Sequence, residues 1–311
     1  MKAIRILRSA PVPELIEEDI PQPKPGPGDL LIRVCAAGVT PTELLWYPTS
    51  RTKAGEERSR AVPGHEFSGI VAALGADVSG FAAGQPVYGM SDWFSEGATA
   101  EYCVTQPSYV APKPPRLTHE EAASVPIGAL TAWQGLFDHA HLQAGERVLV
   151  QGGAGAVGIF VIQLARYRGA HVIATASGKN IQFVSQLGAG QAIDYRAGRF
   201  EDGVQPVDVV FDCVGGDTLQ RSWAVLKPGG RMVTIAAGSE QVSEERVKRA
   251  FFIVEPNQKQ LTEISGLLES GRLRTVVDTV VPFAQAASAY TGNIKRQGRG
   301  KVVVAVQSRT E

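Results

Sequence analysis

The sequence predicts an α/β fold in which a domain with a doubly wound parallel sheet is inserted into a mostly β domain. Between residues 125 and 254, apolar strands alternate with helix-compatible segments, and repeated βα units require a buried parallel sheet with right-handed crossovers. On either side, short β-rich runs alternate with turn clusters. The predicted boundaries are 1–124 for the first part of the mostly β domain, 125–254 for the inserted domain, and 255–311 for the return.

The predicted elements form three consecutive groups along the chain. The first stretch contains β-rich runs such as LLIRVCAAGV, FSGIVAALG and AEYCVT. The inserted domain predicts a helix (ALTAWQGLFDHA), a strand (RVLVQ), a glycine turn, a helix (FVIQLARYR) and the strands HVIATA, AIDY, VDVVFDCV and RMVTIAA. The tail predicts a helix (QKQLTEISGLLESG), a strand (TVVDTVVPF), a helix at AQAASAY and a closing strand (KVVVAV). Because this tail folds back onto the first domain, we expect a ligand cleft between the two domains.

The composition favours a small-molecule partner. The chain has 31 Lys and Arg against 31 Asp and Glu, so its net charge of zero offers no field that attracts nucleic acid or an anionic membrane surface. No apolar run reaches the roughly eighteen residues of a membrane span, and the first residues lack the apolar region of a signal peptide. The scattered cysteines Cys35, Cys103 and Cys213 suit a reducing compartment. We expect a cytoplasmic protein without nucleic-acid or membrane partners.

A glycine-rich turn is the strongest single motif. Gly153 to Gly158 match the pattern G-x-G-x-x-G, directly after the apolar strand RVLVQ and before an apolar helix. This context directs free backbone N–H groups and the positive end of a helix at a pyrophosphate, as in Rossmann domains. The alternative is a turn that only tightens a strand-to-helix junction. The predicted cofactor-binding residues of this motif are Gly152, Gly153, Ala154, Gly155, Ala156 and Val157.

The end of the second strand of the inserted domain, HVIATASGKN, indicates which dinucleotide binds. An enzyme that uses NAD normally has Asp or Glu here against the ribose 2′-hydroxyl, and this segment has neither. Ser177 can instead hydrogen-bond a 2′-phosphate, Lys179 can pair with its charge, and Asn180 adds a neutral amide. The sequence therefore predicts NADPH as the cofactor. The alternative for Lys179 is a solvated loop residue.

A set of segments spread over the whole chain is similar to one known group of enzymes. These segments are PGHEFSG at 63–69 with the following IVAALGADVSGF, the stretch from Gly128 to Trp133, QGGAGAVG, FDCVGG and GKVVVAV. They resemble the medium-chain dehydrogenase/reductase superfamily and, within it, the zinc-independent quinone oxidoreductases. The resemblance implies a GroES-like catalytic domain formed by both chain ends, an inserted Rossmann domain and a homodimer.

The same resemblance implies further cofactor contacts. Thr131 would approach the nicotinamide, and Cys213 with Val214 would line the adenosine side. Ala236 and Ala237 at the end of the fifth strand, and Phe252 with Val254 after a sixth strand that the resemblance implies, would border the nicotinamide ring. Lys301 and Tyr195 complete the set, with Tyr195 near the 2′-phosphate; core packing is the alternative for Tyr195 and Phe252. Cys213 is not predicted as a nucleophile, because no neighbour in the sequence would lower its pKa.

The zinc ligands of the family's alcohol dehydrogenases are missing from this sequence. Where those enzymes carry the first Cys, this chain has Thr40 in the segment GVTPTE, and the second Cys position falls near Ile127. Only His65 remains, and we favour a structural role for it beside Glu66 over a vestigial ligand or a proton donor. Tetrahedral zinc needs close-set sulfur or nitrogen ligands, so the prediction is that no metal binds.

The predicted activity is an NADPH-dependent, zinc-independent transfer of hydride to a quinone or another electrophilic carbonyl acceptor, because an ordinary alcohol cannot be ionised efficiently without a metal. The alternatives are a 2-alkenal or enoyl-thioester reductase and a non-catalytic NADPH-binding sensor or structural protein. Thr40 and Tyr47 are the candidate proton donors, since the family's usual tyrosine falls at Leu45. The aromatic residues Trp46, Tyr47, Tyr88 and Trp93 could form a flat platform for the acceptor, with ordinary core or surface packing as the alternative. A thioester would also need basic residues such as Arg51, Lys53, Arg58 and Arg60, for which we favour a solvated loop.

Overall fold

A computed structural model describes residues 1–7, 13–240 and 242–307. Within these residues the strands form a two-stranded, a five-stranded and a seven-stranded sheet. The strands are β1 (Lys2–Leu7), β2 (Glu14–Asp19), β3 (Leu30–Gly38), β4 (Glu66–Leu74), β5 (Pro86–Met90), β6 (Tyr102–Thr105), β7 (Val110–Pro112), β8 (Arg147–Gln151), β9 (His171–Ala176), β10 (Gln191–Asp194), β11 (Val207–Asp212), β12 (Leu226–Thr234), β13 (Val277–Pro282) and β14 (Lys301–Ala305).

The helices lie mainly in the second half of the chain. They are α1 (Tyr47–Ser50), α2 (His119–Ala123), α3 (Pro126–Trp133), α4 (Gly158–Tyr167), α5 (Ile181–Leu187), α6 (Gly216–Ser222), α7 (Glu245–Ala250), α8 (Gln258–Glu269) and α9 (Ala286–Thr291). A π-helical turn, Gln134–His139, continues α3. No helix in the described ranges is long and apolar enough to cross a membrane.

The five-stranded sheet is entirely parallel and has the order β10-β9-β8-β11-β12. The chain moves outward from β8 to β10 on one side and then crosses to β11 and β12 on the other, so the strand order reverses between β8 and β11. In open α/β sheets, ligands bind outside the carboxyl ends of the strands at this reversal. The predicted fold class, a Rossmann sheet beside a GroES-like β domain, is confirmed.

The seven-stranded sheet takes strands from both ends of the chain. Strand β14 pairs antiparallel with β3, with Val303 opposite Gly38, and β13 adds to its other side. The backbone N–H of Gly300, just before β14, donates to the carbonyl of Ala154 in the glycine turn at 2.9 Å. The two sheets therefore meet at the base of a cleft. The predicted boundaries at 124/125 and 254/255 remain predictions.

Helix α3 and the start of α4 pack tightly in the largest core cluster. Every residue from Pro126 to Ala132 is buried, as expected of a helix that is apolar on all sides. A Cβ on Gly128 would lie 2.5 Å from the carbonyl oxygen of Ala156, so only glycine allows this approach. This contact positions Thr131, one helical turn later, beside the glycine turn.

The expected sixth strand of the inserted domain is reduced to one contact. Phe251 forms a single parallel bridge with Thr234, and the segment that follows is extended without further pairing in the described chain. The side chains of Phe252 and Val254 are instead buried in the core cluster that contains α3. Side-chain packing therefore holds this segment in place, and it pairs with β12 less than a regular sixth strand would.

Candidate functional site

A cleft of about 1240 Å³ lies at the carboxyl ends of the parallel strands. One wall comes from the turns after β8, β9, β11 and β12. The other comes from the 3₁₀ helix Pro41–Leu45 and its neighbours, the loop at Trp93 and the start of β14. The lining includes the following residues predicted from sequence: Thr40, Tyr47, Thr131, Gly155, Ala156, Val157, Lys179, Cys213, Val214, Ala236, Ala237, Phe252, Val254 and Lys301. Gly152, Gly153, Ala154, Ser177, Asn180 and Tyr195 are not part of this lining.

The glycine turn is shaped to receive a pyrophosphate. Gly152 has φ of +78°, and a Cβ on Gly158 would lie 2.3 Å from the carbonyl oxygen of Gly152, so the start of α4 packs directly on the turn. Gly155 is exposed toward the cleft. The parallel bridge between Gly155 and Gly300 directs the backbone N–H of Ala156 at the carbonyl of Gly300, whereas the backbone N–H of Val157 has no acceptor within residues 1–7, 13–240 and 242–307. This free donor and the positive end of α4 fit a bound phosphate group.

The loop after β9 is tied to the loop before β14. Lys179 Nζ donates to the carbonyl of Gln297 at 2.9 Å and remains exposed at the cleft. Asn180 is 3% exposed, and its Nδ2 donates to the carbonyl of Gly298 at 3.1 Å while its Oδ1 accepts from Arg299 Nε at 2.8 Å. Both ends of the Asn180 amide thus hold this loop, and its predicted phosphate contact stays a prediction.

Three charged residues near that loop were missed by the sequence reasoning. Arg296 lines the cleft and pairs with buried Asp278, with 3.3 Å between Nε and Oδ2. The guanidinium of Arg299 lies over the ring of Phe183 and donates to the carbonyl of Lys179 at 3.0 Å. On the opposite side, a Cβ on Gly178 would lie 2.6 Å from the carboxylate of Asp194. The cluster of cations in IKRQGRG was the available signal for the first two.

Ser177 and Tyr195 flank the same region without lining the cleft. Ser177 is 7% exposed at the end of β9. Tyr195 is half exposed, its backbone N–H donates to the carbonyl of Ala176 at 3.3 Å, and the guanidinium of Arg196 lies 5.6 Å from its ring centroid. Their assignment to the 2′-phosphate stays a prediction.

The opposite wall carries a buried charged group. Lys301 is 4% exposed and forms an ion pair with Glu66 Oε1, and its Nζ also donates to Thr40 Oγ1 at 2.7 Å. Glu66 Oε2 accepts the backbone N–H of Ile127 at 2.9 Å. Burial raises the pKa of Glu66, and the neighbouring ammonium opposes that rise. Sequence reasoning had assigned Lys301 to the cofactor and had given Glu66 no role.

His65 lies in a separate hydrogen-bond network. Its Nδ1 is 2.5 Å from Glu43 Oε2, and its Nε2 is 3.3 Å from the carbonyl oxygen of Ser95. Glu43 Oε1 also accepts the backbone N–H of Gly64 at 3.1 Å. Both ring nitrogens thus have oxygen partners, which agrees with the structural role favoured for His65. The sequence reasoning gave Glu43 no role, although Glu43 lies in the segment GVTPTE, which aligns with the first zinc-ligand segment of the family.

The residues present do not fit a zinc ion. Thr40 and Ile127 occupy the positions of the family's cysteine ligands, and both nitrogens of His65 are engaged. In the part of the chain that the structure covers, no cluster of three or more His, Cys, Asp or Glu side chains could hold a metal. Structural and catalytic zinc sites need at least three such ligands.

The aromatic side chains do not form the flat platform predicted for them. Trp46 and Trp93 lie edge to face, with ring centroids 4.7 Å apart and planes at 78°. Trp93 Nε1 donates to the carbonyl of Val254 at 2.9 Å. Tyr88 is fully buried outside the cleft, and its hydroxyl donates to the carbonyl of Leu261 at 2.8 Å. The cleft instead has a stepped aromatic wall made by Trp46, Tyr47, Trp93 and Phe94.

Cys213 lines the cleft as a neutral thiol. Burial raises its pKa well above the usual value, and the carboxylate of Asp212 adds to this rise. A thiol becomes a nucleophile when nearby cations lower its pKa, so these surroundings oppose that role.

The basic residues of the 51–60 segment are all neutralised by carboxylates. Lys53 pairs with Asp92 at 3.1 Å and Arg58 with Glu96 at 2.9 Å. The other two pairs are Arg51 with Glu57 at 3.4 Å and Arg60 with Glu18 at 2.6 Å. No cationic patch for a phosphorylated thioester carrier forms in the described part of this segment.

Comparison with known proteins gives matches over almost the whole chain. Residues 26–115 match the family described as alcohol dehydrogenase GroES-like domain, and residues 187–304 match the family described as zinc-binding dehydrogenase. A probable mitochondrial zinc-binding oxidoreductase of Arthroderma benhamiae is 35% identical, covering 94% of this chain and 96% of that protein. A chloroplastic NADPH-dependent alkenal/one oxidoreductase of Arabidopsis thaliana is 33% identical over 93% of this chain and 75% of its own length.

A solved structure extends the similarity to three dimensions. The quinone oxidoreductase from Coxiella burnetii superposes with a TM-score of 0.86 at 31% identity, covering 99% of each chain. The similarity therefore includes both sheets and the cleft between them.

Proposed function

This chain belongs to the medium-chain dehydrogenase/reductase superfamily as a quinone-oxidoreductase-like NAD(P)H oxidoreductase, and from that premise we propose that it transfers hydride from NADPH to a quinone or another electrophilic carbonyl acceptor without zinc. One observation carries the proposal. A glycine turn with the free N–H of Val157 faces, across an apolar cleft, the hydroxyl of Thr40 and the ammonium of Lys301, and the resemblance places a cysteine ligand of zinc at the position of Thr40. A cleft of this kind suits an acceptor that is already electrophilic.

Different residues around the cleft would bind different parts of the cofactor and the acceptor. The N–H group of Val157 and the start of α4 would hold the pyrophosphate, and Thr131 with Ala236 and Val254 would border the nicotinamide. When bound, NADPH supplies the hydride. The buried walls exclude water and hold the acceptor against the cofactor, which lowers the entropic cost of reaction. Thr40 or Tyr47 would then supply the proton.

Two observations favour small acceptors. The neutralised cations of the 51–60 segment leave no site for the phosphates of a thioester carrier. The apolar and aromatic lining suits a ring or an alkyl chain. A 2-alkenal is the second candidate acceptor, because the relative from Arabidopsis thaliana is named an alkenal/one oxidoreductase.

The acceptor is tested by measuring NADPH oxidation with phenanthrenequinone, 2-nonenal and crotonyl coenzyme A in parallel. We expect turnover with the quinone or the alkenal and a kcat/KM at least about tenfold lower with the thioester, because the cations of the 51–60 segment are already paired with carboxylates. Tight NADPH binding without turnover on any of the three would support the non-catalytic alternative. A preference for the thioester would contradict the proposed acceptor class.

NADPH is part of the proposal. Lys179 at the cleft and Arg296 nearby favour the additional phosphate, while the carboxylate of Asp194 beside Gly178 opposes it. We expect a Kd for NADPH about 10- to 100-fold lower than for NADH, as for one or two charge-assisted hydrogen bonds. The double variant Lys179→Ala, Ser177→Ala should lose this preference, and Lys259→Ala on an exposed lysine of α8 should keep it. Equal Kd values in the parent would contradict the assignment.

The proposal also includes a homodimer in the cytoplasm. Light scattering on the purified protein measures the mass, and a monomer at micromolar concentration would contradict the dimer.

A further inference from the structure

The hydroxyl of Thr40 has a fixed direction. Lys301 Nζ is 2.7 Å from Thr40 Oγ1, and an ammonium can only donate, so the hydroxyl oxygen must accept. The hydroxyl hydrogen of Thr40 then points away from Lys301. No acceptor for this hydrogen exists among the described residues, and Thr40 lines the cleft. The hydrogen is therefore available to a group bound in the cleft.

Glu66 holds the ammonium in this position. Glu66 is fully buried, pairs with Lys301 and accepts the backbone N–H of Ile127 at the start of α3. A buried lysine is costly unless it is paired and hydrogen-bonded, and Glu66 and Thr40 supply these partners for Lys301. Lys301 Nζ thus lies against Thr40 Oγ1 in the wall of the cleft.

Tyr47 has no comparable support. Its ring is half exposed and only contacts Phe94 edge to face, at 6.4 Å between centroids. No described side chain orients its hydroxyl. Of the two candidate proton donors, Thr40 is the one whose geometry is determined before an acceptor binds.

We propose that Lys301, anchored by Glu66, positions the hydroxyl of Thr40 to donate a hydrogen bond, and then a proton, to the carbonyl oxygen of the acceptor. This inference rests on the proposed reductase function. Hydride addition brings two electrons to the acceptor and moves an electron pair onto its oxygen. That oxygen takes the proton of Thr40, Lys301 returns a proton to Thr40, and water that enters when the product leaves reprotonates Lys301. The net reaction consumes one hydride and one proton.

A fixed donor of this kind acts on the transition state. A hydrogen bond aimed at the oxygen where negative charge develops contributes about 10²- to 10³-fold to kcat when it is preorganised. The ammonium, one hydrogen bond further away, adds a positive charge in a region of low dielectric constant. Lys301 and Glu66 are positioning residues, and only Thr40 would touch the acceptor.

The test compares four variants with the parent. Thr40→Val removes the hydroxyl and keeps the shape, and Thr40→Ser restores a hydroxyl. The double variant Lys301→Met, Glu66→Gln removes both charges together, so that no unpaired charge is left buried. Thr291→Val, on an exposed threonine of α9, is the matched control. Each is assayed with 2-nonenal for kcat, KM and the Kd of NADPH.

A second readout does not depend on turnover. The absorption of para-dimethylaminocinnamaldehyde moves to longer wavelength when its carbonyl oxygen accepts a hydrogen bond. With the oxidised cofactor present, this aldehyde can bind but cannot be reduced. We expect the long-wavelength shift in the parent, in Thr40→Ser and in Thr291→Val. The shift should disappear in Thr40→Val and shrink in the double variant.

In turnover, Thr40→Val should lower kcat about 100-fold with little change in KM or in the Kd of NADPH, and Thr40→Ser should recover most of it. The double variant should lower kcat by a smaller factor. If the parent turns over and shows the shift while Thr40→Val retains both, the inference is wrong and the reductase function stands. If the parent shows the shift but no turnover, the donor is supported and the proposed function fails. A parent without any shift overturns the inference.

Discussion

Gly155 and Gly158 belong to one motif but have different surroundings. A Cβ on Gly158 would lie 2.3 Å from the carbonyl oxygen of Gly152, whereas a Cβ on Gly155 would come no nearer than 3.4 Å to the same oxygen. Gly158 therefore allows α4 to pack on the turn, and Gly155 keeps the cleft side open. The sequence motif identifies both residues, but only the structure shows that one is required for packing and the other for access of a ligand.

These surroundings predict opposite phenotypes for two alanine variants. Gly158→Ala should lower the free energy of unfolding by about 1–3 kcal/mol, because the methyl group forces the backbone of α4 away from the turn. Gly155→Ala should change it by less than about 0.5 kcal/mol but weaken NADPH binding, because the methyl group occupies the space of the phosphates. Urea unfolding and fluorescence titration measure the two effects. A stable Gly158→Ala variant with normal affinity would disprove the packing argument.

Two side-chain pairs connect neighbouring elements. Arg221 of α6 forms an ion pair with Glu201 in the turn after β10 and lowers the pKa of that carboxyl to about 2, chiefly through a hydrogen bond. Tyr88 of β5 reaches α8, where its hydroxyl donates to the carbonyl of Leu261 and lies 2.9 Å from the hydroxyl of Ser265. The first pair joins two parts of the parallel-sheet domain, and the second joins the β domain to α8.

The Glu201 pair predicts a stability that depends on pH. The folded pKa is below the ordinary value of 4.5, so the stabilisation is fully present above pH 4.5 and is lost as the pH falls toward about 2. The urea midpoint of the parent should exceed that of Glu201→Gln at pH 7 and 5, and the difference should shrink at pH 4 and 3. Glu263→Gln, on an exposed residue of α8, should follow the parent throughout. A difference that grows below pH 4.5 would have the wrong sign.

The Tyr88 contact predicts a cost for losing one buried hydroxyl. Tyr88→Phe should lower the free energy of unfolding by about 1–2 kcal/mol, because the carbonyl of Leu261 and the hydroxyl of Ser265 lose a partner inside the protein. Tyr167→Phe, on a half-exposed tyrosine, should change it by less than about 0.5 kcal/mol. Chemical denaturation of both variants measures the difference. Equal effects would mean that the buried hydrogen bonds contribute nothing net.

At the scale of the whole molecule, the two sheets meet at a few specific contacts around the cleft. Gly300 pairs with Gly155 as an isolated parallel bridge, and Trp93 Nε1 donates to the carbonyl of Val254 at 2.9 Å. The cofactor and the acceptor would bind between these contacts, so their binding energy stabilises the folded protein as a whole. Since no metal is predicted to bind, we expect no contribution of a metal to this stability.

This arrangement predicts that NADPH stabilises the folded protein and that a zinc chelator does not affect its stability. NADPH at 100 times its Kd should raise the free energy of unfolding by about 2.7 kcal/mol, since it binds only the folded protein. Incubation with the zinc chelator 1,10-phenanthroline should change neither the thermal midpoint nor the rate of NADPH oxidation. A fall in the midpoint on chelation, reversed by added zinc, would contradict the absence of a structural metal.

The secondary structure and the site regions were largely visible in the sequence. The βα alternation predicted a parallel sheet, and β8 to β12 form it. The glycine motif, Lys179 and Ala236 predicted positions that line one cleft. These signals are local, since a turn, a helix start or a buried strand leaves its pattern within about ten residues. The hydrogen bonds of Asn180, the burial of Tyr88 outside the cleft and the single bridge of Phe251 were not predicted, because partners distant in the sequence determine them.

The sequence by itself determined the fold class and the glycine turn, since residue type and short spacing specify both, and by resemblance it predicts that zinc does not bind. Only the tertiary structure decided which polar side chains meet in the wall of the cleft. Thr40 and Lys301 are 261 positions apart, yet one hydrogen bond of 2.7 Å joins them because β14 returns beside β3. Hydrogen bonds act over a few ångströms in space, whatever the distance along the chain. The direction of the Thr40 hydroxyl therefore follows from the fold alone.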